Sequence, residues 1–262
     1  MAYNGFDVSG RCCLITGGTS GIGRAIALGL ASAGARVLVG SSSPGKVEAM
    51  KKELGDGHDG VQINVADEAS VNAAVERAVS KFGRLDSVVH SAGVIKRQPS
   101  LDMPVEEFRR IVDVNLVGTF LVNRSAARAM KNQSPDAQGY RGSIVNIASL
   151  NSYISLSEVL AYASSKSGVL GIIRGLANEW AVHGIRVNGV APGLVPTDLN
   201  RALIEGTPRG DFMRQHTPLN RFGKADELVG AAIFLLSPAA SFVTGETILV
   251  DGGFMSRGVG LL

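Results

Sequence analysis

In AYASSKSG, residues 161–168, Tyr162 and Lys166 stand four residues apart. If the stretch is helical, both side chains lie on one face, about one turn apart. A phenol with a reference pKa of about 10 is a poor acid–base group at neutral pH, and a nearby ammonium favours the phenolate. Such a pair can give a proton to a carbonyl oxygen or take one from a hydroxyl. The spacing alone also describes a solvated pair on a helix surface. Two further residues keep it company. Ser149 closes the apolar run SIVNIAS, residues 143–149, and Asn115 lies in DVNL, residues 113–116. An amide in the middle of a helical pattern is a poor helix former, so Asn115 calls for a reason.

A second kind of chemistry is written near the N-terminus. TGGTSGIG, Thr16–Gly23, follows an apolar run and precedes a helical pattern. Glycines there let the backbone approach a phosphate in front of a helix N-terminus, and Gly17, Gly21 and Gly23 are the candidates. A plain tight turn is the other reading. VLVGSSSPGK, residues 37–46, then ends a strand-like run in Ser41, Ser42 and Ser43. In a dinucleotide site the adenosine ribose is gripped at such a strand end. A carboxylate there repels a 2′-phosphate, and none is present. The same serines also fit a polar turn, with Ser43 or Ser42 as N-cap and Pro44 at the first helical position.

The elements that must position these residues follow a simple rhythm. Short apolar runs are expected as strands at 12–16, 36–40, 60–63, 87–90, 143–147, 186–190 and 247–250. Amphipathic stretches at about 21–33, 45–54, 68–82, 104–131, 160–182 and 225–236 are expected as helices. This alternation predicts an α/β fold: a Rossmann-like, doubly wound parallel sheet of about seven strands with helices on both faces. A single domain spanning 1–262 is expected, with a substrate loop at about 192–222, where the periodicity is weak.

Composition excludes other classes. Of 262 residues, 45% are hydrophobic, which fits a globular chain rather than a disordered one. Net charge is +3 with aromatics at 5%, and the basic residues are scattered, so no nucleic-acid surface is expected. Cys12 and Cys13 are adjacent in a strand-like run and point to opposite faces, so they do not pair. There is no metal-ligand spacing, no secretory leader pattern and no run approaching a membrane span, so a cytoplasmic protein without a metal is expected.

Together TGGTSGIG, the HSAG at 90–93, DVNL, SIVNIAS, AYASSKSG, the APGLVPT at 191–197 and the VDGGF at 250–254 resemble the short-chain dehydrogenase/reductase family over nearly the whole chain. The resemblance implies a nicotinamide cofactor, NADP favoured over NAD with dual use open because Ser41 and Ser42 stand where members carry an acidic residue or an arginine, and a catalytic set of Asn115, Ser149, Tyr162 and Lys166. Tyr162 is then the acid–base and Ser149 bonds the substrate oxygen. Lys166 holds the nicotinamide ribose and lowers the Tyr162 pKa, and Asn115 positions a water. It implies cofactor contacts from Gly17, Thr19, Ser20, Gly21, Ile22, Gly23, Ser41, Ser42, Asn64, Val65, Ser91, Ala92, Gly93, Pro192, Gly193, Val195 and Thr197, besides Tyr162 and Lys166. Two departures stand out. His90 and Ser91 replace the family's usual asparagine pair, with His90 read as a structural substitute rather than a proton carrier. Asn64 replaces an aspartate and keeps an acceptor without the charge.

AGVIKRQP, residues 92–99, and two longer stretches at 164–188 and 217–246 resemble the sugar-acid and polyol subgroup that includes gluconate 5-dehydrogenase and 2-deoxy-3-keto-gluconate dehydrogenase. Carbonyl–alcohol interconversion on a small polar substrate is the implied activity. Arg97 suits a substrate carboxylate, although Lys96–Arg97 also fits a solvated basic pair. Asn151 and Tyr153 are further pocket candidates. A 3-oxoacyl-carrier-protein reductase is the alternative enzyme, and a catalytically silent cofactor-binding scaffold the alternative of another class. The resemblance also implies a homotetramer built on the two long helices. Val169, Leu170, Ile173 and Leu176 fit either core or interface.

Overall fold

The computed structural model describes residues 3–257 other than Leu199; the ends of the expected 1–262 span lie outside the described residues. Seven parallel strands form one sheet: β1 Cys12–Thr16, β2 Arg36–Ser41, β3 Asp59–Gln62, β4 Ser87–His90, β5 Gly142–Ile147, β6 Ile185–Pro192 and β7 Thr247–Val250. Their order is β3-β2-β1-β4-β5-β6-β7. The expected doubly wound, Rossmann-like α/β architecture is what the chain adopts. β1 and the middles of β2, β4 and β5 are buried apolar runs because helices cover both faces, whereas β3, DGVQ, is only partly buried. The strand ends differ from expectation by one or two residues, for a backbone reason. Ser41 continues the ladder by pairing with Gln62, and Pro192 by pairing with Val250, although neither is a typical strand residue.

Side chains alternate cleanly across the sheet. Cys12, Leu14, Val88 and Ile144 join one core with residues of α3 (Glu68–Phe82), α5 (Gly118–Met130) and α6 (Leu160–Trp180). Cys13, Ile15, Val89 and Val145 join the other, against α1 (Gly21–Ser32) and α9 (Val229–Leu236). The two thiols therefore face opposite layers and are both free, as expected from strand alternation. Burial pushes the Cys12 thiol up to about 11 and raises that of Cys13 as well.

Two regions depart from the expected elements. The stretch expected as one helix over 104–131 is α4 (Val105–Val112), a five-residue π-helical segment (Asp113–Val117) and then α5. The interruption falls on Asn115, the residue whose amide competes with regular helical bonding. The 192–222 excursion contains two helices, α7 (Arg201–Ile204) and α8 (Pro208–His216). Thr207 caps α8, its hydroxyl accepting from the Gly210 amide at 3.0 Å, with Pro208 in the first turn. This Thr-Pro start is a helix signal that periodicity alone passes over, because Met213 and Gly210 are the only residues α8 buries. Between β2 and β3 lies α2 (Pro44–Leu54). Ser43 is its N-cap residue, but its side chain makes no capping bond.

Candidate active site

The carboxyl ends of β1, β4, β5 and β6 meet at one edge of the sheet, where the connections diverge and open α/β folds bind ligands. The first wall is the turn from β1 into α1. Gly17 has φ +67°, and a Cβ there would lie 2.7 Å from the Ala92 nitrogen in the turn after β4. At Gly23 a Cβ would lie 2.2 Å from the Gly17 carbonyl oxygen. Neither position admits a side chain, so backbone packs on backbone and the α1 N-terminus faces open space. Ser20, its N-cap residue, makes no side-chain capping bond. The first-turn N–H groups are therefore available to an anion, which fits a dinucleotide pyrophosphate.

The second wall carries the acid–base residues. Ser149 follows β5 and caps the short turn Leu150–Ser152, its hydroxyl accepting from the Asn151 amide at 3.1 Å. Tyr162 and Ser149 line the same stretch of the cavity, with the Ser149 side chain favouring the ionised phenol. Burial raises the Tyr162 pKa from its usual value, and the Ser149 side chain opposes that rise. The lowering expected from Lys166 is not part of this balance. The Lys166 Nζ lies 5.9 Å from the Tyr162 ring centre and donates to the Ile147 carbonyl at 2.6 Å. Burial lowers the ammonium's own pKa to about 8, so it remains largely protonated at neutrality.

Behind this wall lies Asn115, wholly buried. Its Oδ1 accepts from the Val94 amide at 2.8 Å, and its Nδ2 donates to the Val94 carbonyl at 2.9 Å and the Ser165 hydroxyl at 3.1 Å. The side chain thus ties the π-helical segment to the turn after β4 and to α6, which carries Tyr162 and Lys166. Gly93 fits between them: a Cβ there would sit 3.3 Å from Asn115 Oδ1 and 3.8 Å from Lys166 Nζ. Neither the backbone role of Val94 nor that of Ile147 is visible in residue type, since both act through main-chain atoms.

His90 ends β4, buried, with Nδ1 2.8 Å from the Thr16 hydroxyl. Among the described residues its Nε2 is the buried side-chain nitrogen or oxygen left without a hydrogen-bond partner. Burial, with a smaller contribution from the Lys166 charge, lowers its pKa to about 3. The ring is neutral under ordinary conditions, in keeping with a structural rather than proton-carrying place.

One cavity of about 240 Å³ joins the two walls. Gly17, Ser20, Gly21 and Ile22 line it from the first turn, and Ser91, Ala92 and Gly93 from the turn after β4. Ser149, Asn151, Tyr162 and Lys166 line the reacting side, and Pro192, Gly193, Val195 and Thr197 come from the end of β6. Arg97 also lines it. Thr19, Gly23, Ser41, Ser42, Asn64 and Val65 do not line it. Ser41 accepts from the Ser43 amide at 3.3 Å, and the Ser42 carbonyl accepts from Gln62 Nε2 at 3.3 Å. The Asn64 side chain accepts from the Ala66 amide at 3.1 Å. Tyr153 also lies outside this lining; its hydroxyl is directed to Thr247 on β7. Residues that sequence reasoning did not single out complete the far wall: Leu203 and Ile204 of α7, and Arg209 and Met213 of α8. Their signal was only the length and position of the 192–222 excursion. Among the described residues no group of side chains is arranged to hold a metal ion, and no helix is long and apolar enough to cross a membrane.

The chain has many relatives of like geometry. A family model described as Enoyl-(Acyl carrier protein) reductase matches residues 17–255. A 2-dehydro-3-deoxy-D-gluconate 5-dehydrogenase of Formosa agariphila is 38% identical over 261 residues, covering 98% of this chain and 97% of the relative. A D-threitol dehydrogenase of Mycolicibacterium smegmatis is also 38% identical, covering 95% and 94%. A crystal structure of a gluconate 5-dehydrogenase from Burkholderia cenocepacia, in complex with NADP and tartrate, superposes with a TM-score of 0.90 at 37% identity, covering 97% and 99%.

Proposed function

The chain belongs to the short-chain dehydrogenase/reductase family, as a nicotinamide-dinucleotide oxidoreductase, and we propose that it interconverts a ketone and a secondary alcohol on a small sugar acid or polyol. The observation that carries this reading is the meeting of Tyr162, Ser149 and Lys166 with the glycine cradle of α1 in one cavity. The relatives named for sugar acids and a polyol support the substrate class.

The cradle of Gly17, Gly21 and Gly23 would hold the pyrophosphate, and Lys166 the nicotinamide ribose. When bound, the nicotinamide supplies or accepts the hydride. Ser149, fixed by the Asn151 amide, hydrogen-bonds the substrate oxygen. Tyr162 delivers a proton to that oxygen in reduction and removes it in oxidation. Lys166 brings a positive charge to the same wall, and Asn115 holds α6 in register with the β4 turn. Ser20, Ile22, Ser91, Ala92, Gly93, Pro192, Gly193, Val195 and Thr197 line the rest of the dinucleotide site, and Thr19, Asn64 and Val65 would meet the dinucleotide outside the cavity. Replacing Tyr162 by Phe is expected to lower kcat by about 10²- to 10⁴-fold with dinucleotide affinity retained. Unchanged turnover of an identified substrate would refute the mechanism. Acetoacetyl thioesters run beside keto-gluconates separate the acyl-carrier alternative.

NADP is the favoured dinucleotide. Ser41 and Ser42 offer hydroxyls and no carboxylate, exposed Lys46 follows them, and relatives crystallised with NADP lend support. Introducing Ser41→Asp should shift the kcat/KM preference toward NAD, because a carboxylate repels the 2′-phosphate; a wild type that already prefers NAD overturns this assignment. The unit is a single cytoplasmic domain over 1–262 that assembles as a homotetramer, with 192–222 forming the substrate wall.

A further inference from the structure

The cavity wall opposite the cradle holds a charge arrangement that the hydride chemistry does not use. Arg97 follows β4, Glu158 precedes α6 and Arg209 lies on α8, so three separate elements converge. Arg97 reaches the Glu158 Oε2 through Nε at 2.6 Å and Nη2 at 2.5 Å. Arg209 Nη1 lies 3.7 Å from the same oxygen, while its Nη2 donates to the Ser157 carbonyl at 3.0 Å. One carboxylate oxygen therefore serves two guanidinium groups, and both arginines line the cavity. Counting the charged side chains of that lining, Arg97, Lys166 and Arg209 face a single anion, Asp198. Adding Glu158 still leaves one positive charge in excess.

Glu158 is held in place at a conformational disadvantage. Its φ is +66°, a region side chains other than glycine rarely adopt. Its carbonyl accepts from the Gln98 amide at 2.7 Å, which ties the residue to the chain segment that carries Arg97. A glycine would fit this backbone with no strain. A glutamate there is explained if its carboxylate occupies a position meant for another carboxylate.

Resting on the oxidoreductase reading above, we infer that Arg97 and Arg209 form the carboxylate-binding end of the substrate pocket, with Glu158 as the internal counter-ion that a substrate carboxylate displaces. The enzyme then selects sugar acids over neutral polyols. Arg209 is the specificity-determining residue, and the planar fork of two guanidinium groups suits a carboxylate.

The test compares D-gluconate with D-glucitol, which differ only in carboxylate against hydroxymethyl. Binding is measured by calorimetry on the protein with NADPH, where neither compound is turned over. The wild type is expected to favour D-gluconate. Replacing Arg209 by Gln should weaken D-gluconate binding about 10- to 100-fold, as for loss of a charged hydrogen-bonded contact, and weaken D-glucitol far less. Glu158→Gln should tighten D-gluconate binding, a change of opposite sign that a folding defect does not produce. Equal weakening of both compounds means that the arginines only latch the wall, and overturns the proposal. So does a wild type that fails to bind D-gluconate, even if it oxidises polyols and keeps the oxidoreductase reading intact. Failure to oxidise or reduce any compound in the panel counts against that reading, while D-gluconate binding still decides the role of Arg209.

Discussion

At the scale of residues, the site depends on which polar groups are satisfied. Asn115 spends both ends of its amide on Val94 and Ser165, and Lys166 is committed to the Ile147 carbonyl. His90 stands apart, with Nε2 unpartnered and a pKa lowered to about 3 by burial. Its usual value is near 6.5, so the unfolded chain takes up a proton between these values that the folded one refuses. The neutral ring therefore contributes stability that is fully present above about pH 6.5 and is lost as pH falls toward 3. The variant His90→Asn should show a shallower fall of Tm over that range than the wild type; parallel Tm–pH curves would rule out this role. Tyr162 and Lys166 were legible from type and spacing, because four residues on a helix make one face. The pKa of Tyr162 was not, because burial is a property of what surrounds the ring.

At the scale of elements, helix starts and interruptions decide what reaches the cavity. The π-helical segment at Asp113–Val117 turns Asn115 inward, where Thr119 donates its hydroxyl to the Asn115 carbonyl at 2.6 Å. α8 depends on the Thr207 cap for its first turn and carries Arg209 and Met213 to the far wall. Replacing Thr207 by Ala should cost about 1 kcal/mol of helix stability. The expected result is a raised substrate KM with dinucleotide affinity unchanged, measured by steady-state kinetics and dinucleotide titration. An altered dinucleotide affinity without a change in KM would show that α8 does not shape the substrate end. α1 and α3 were readable from their period, and α2 also from the Ser43–Pro44 start. α7 and α8 were not, since a short helix that buries few residues leaves no apolar stripe.

At the scale of the whole molecule, the apolar side chains are divided between the core and the exposed surface. Val169, Leu170, Ile173 and Leu176 of α6 are buried within the single chain, so they are core rather than interface. Val117 at the end of the π-helical segment and Phe120 on α5 remain exposed at 42% and 38%, and Leu249 on the edge strand β7 at 38%. An apolar helix face and an uncovered sheet edge support association with further copies. The double change Val117→Glu with Phe120→Glu should reduce the sedimenting mass by half or more if α5 is an interface. A wild type that sediments as a monomer would overturn the tetramer.

Much of this protein was determined by the order of its residues. Seven apolar runs separated by amphipathic stretches dictate a covered parallel sheet, and the position of TGGTSGIG after the first run dictates where a phosphate can approach. Local periodicity and sterics suffice for that. The tertiary structure alone decided which side chains share the cavity. It put Arg209 in one cavity with Tyr162, sent Tyr153 toward β7 and paired two arginines with one glutamate. Those outcomes depend on where distant segments meet when hydrophobic burial closes the fold, and no local spacing encodes such a meeting.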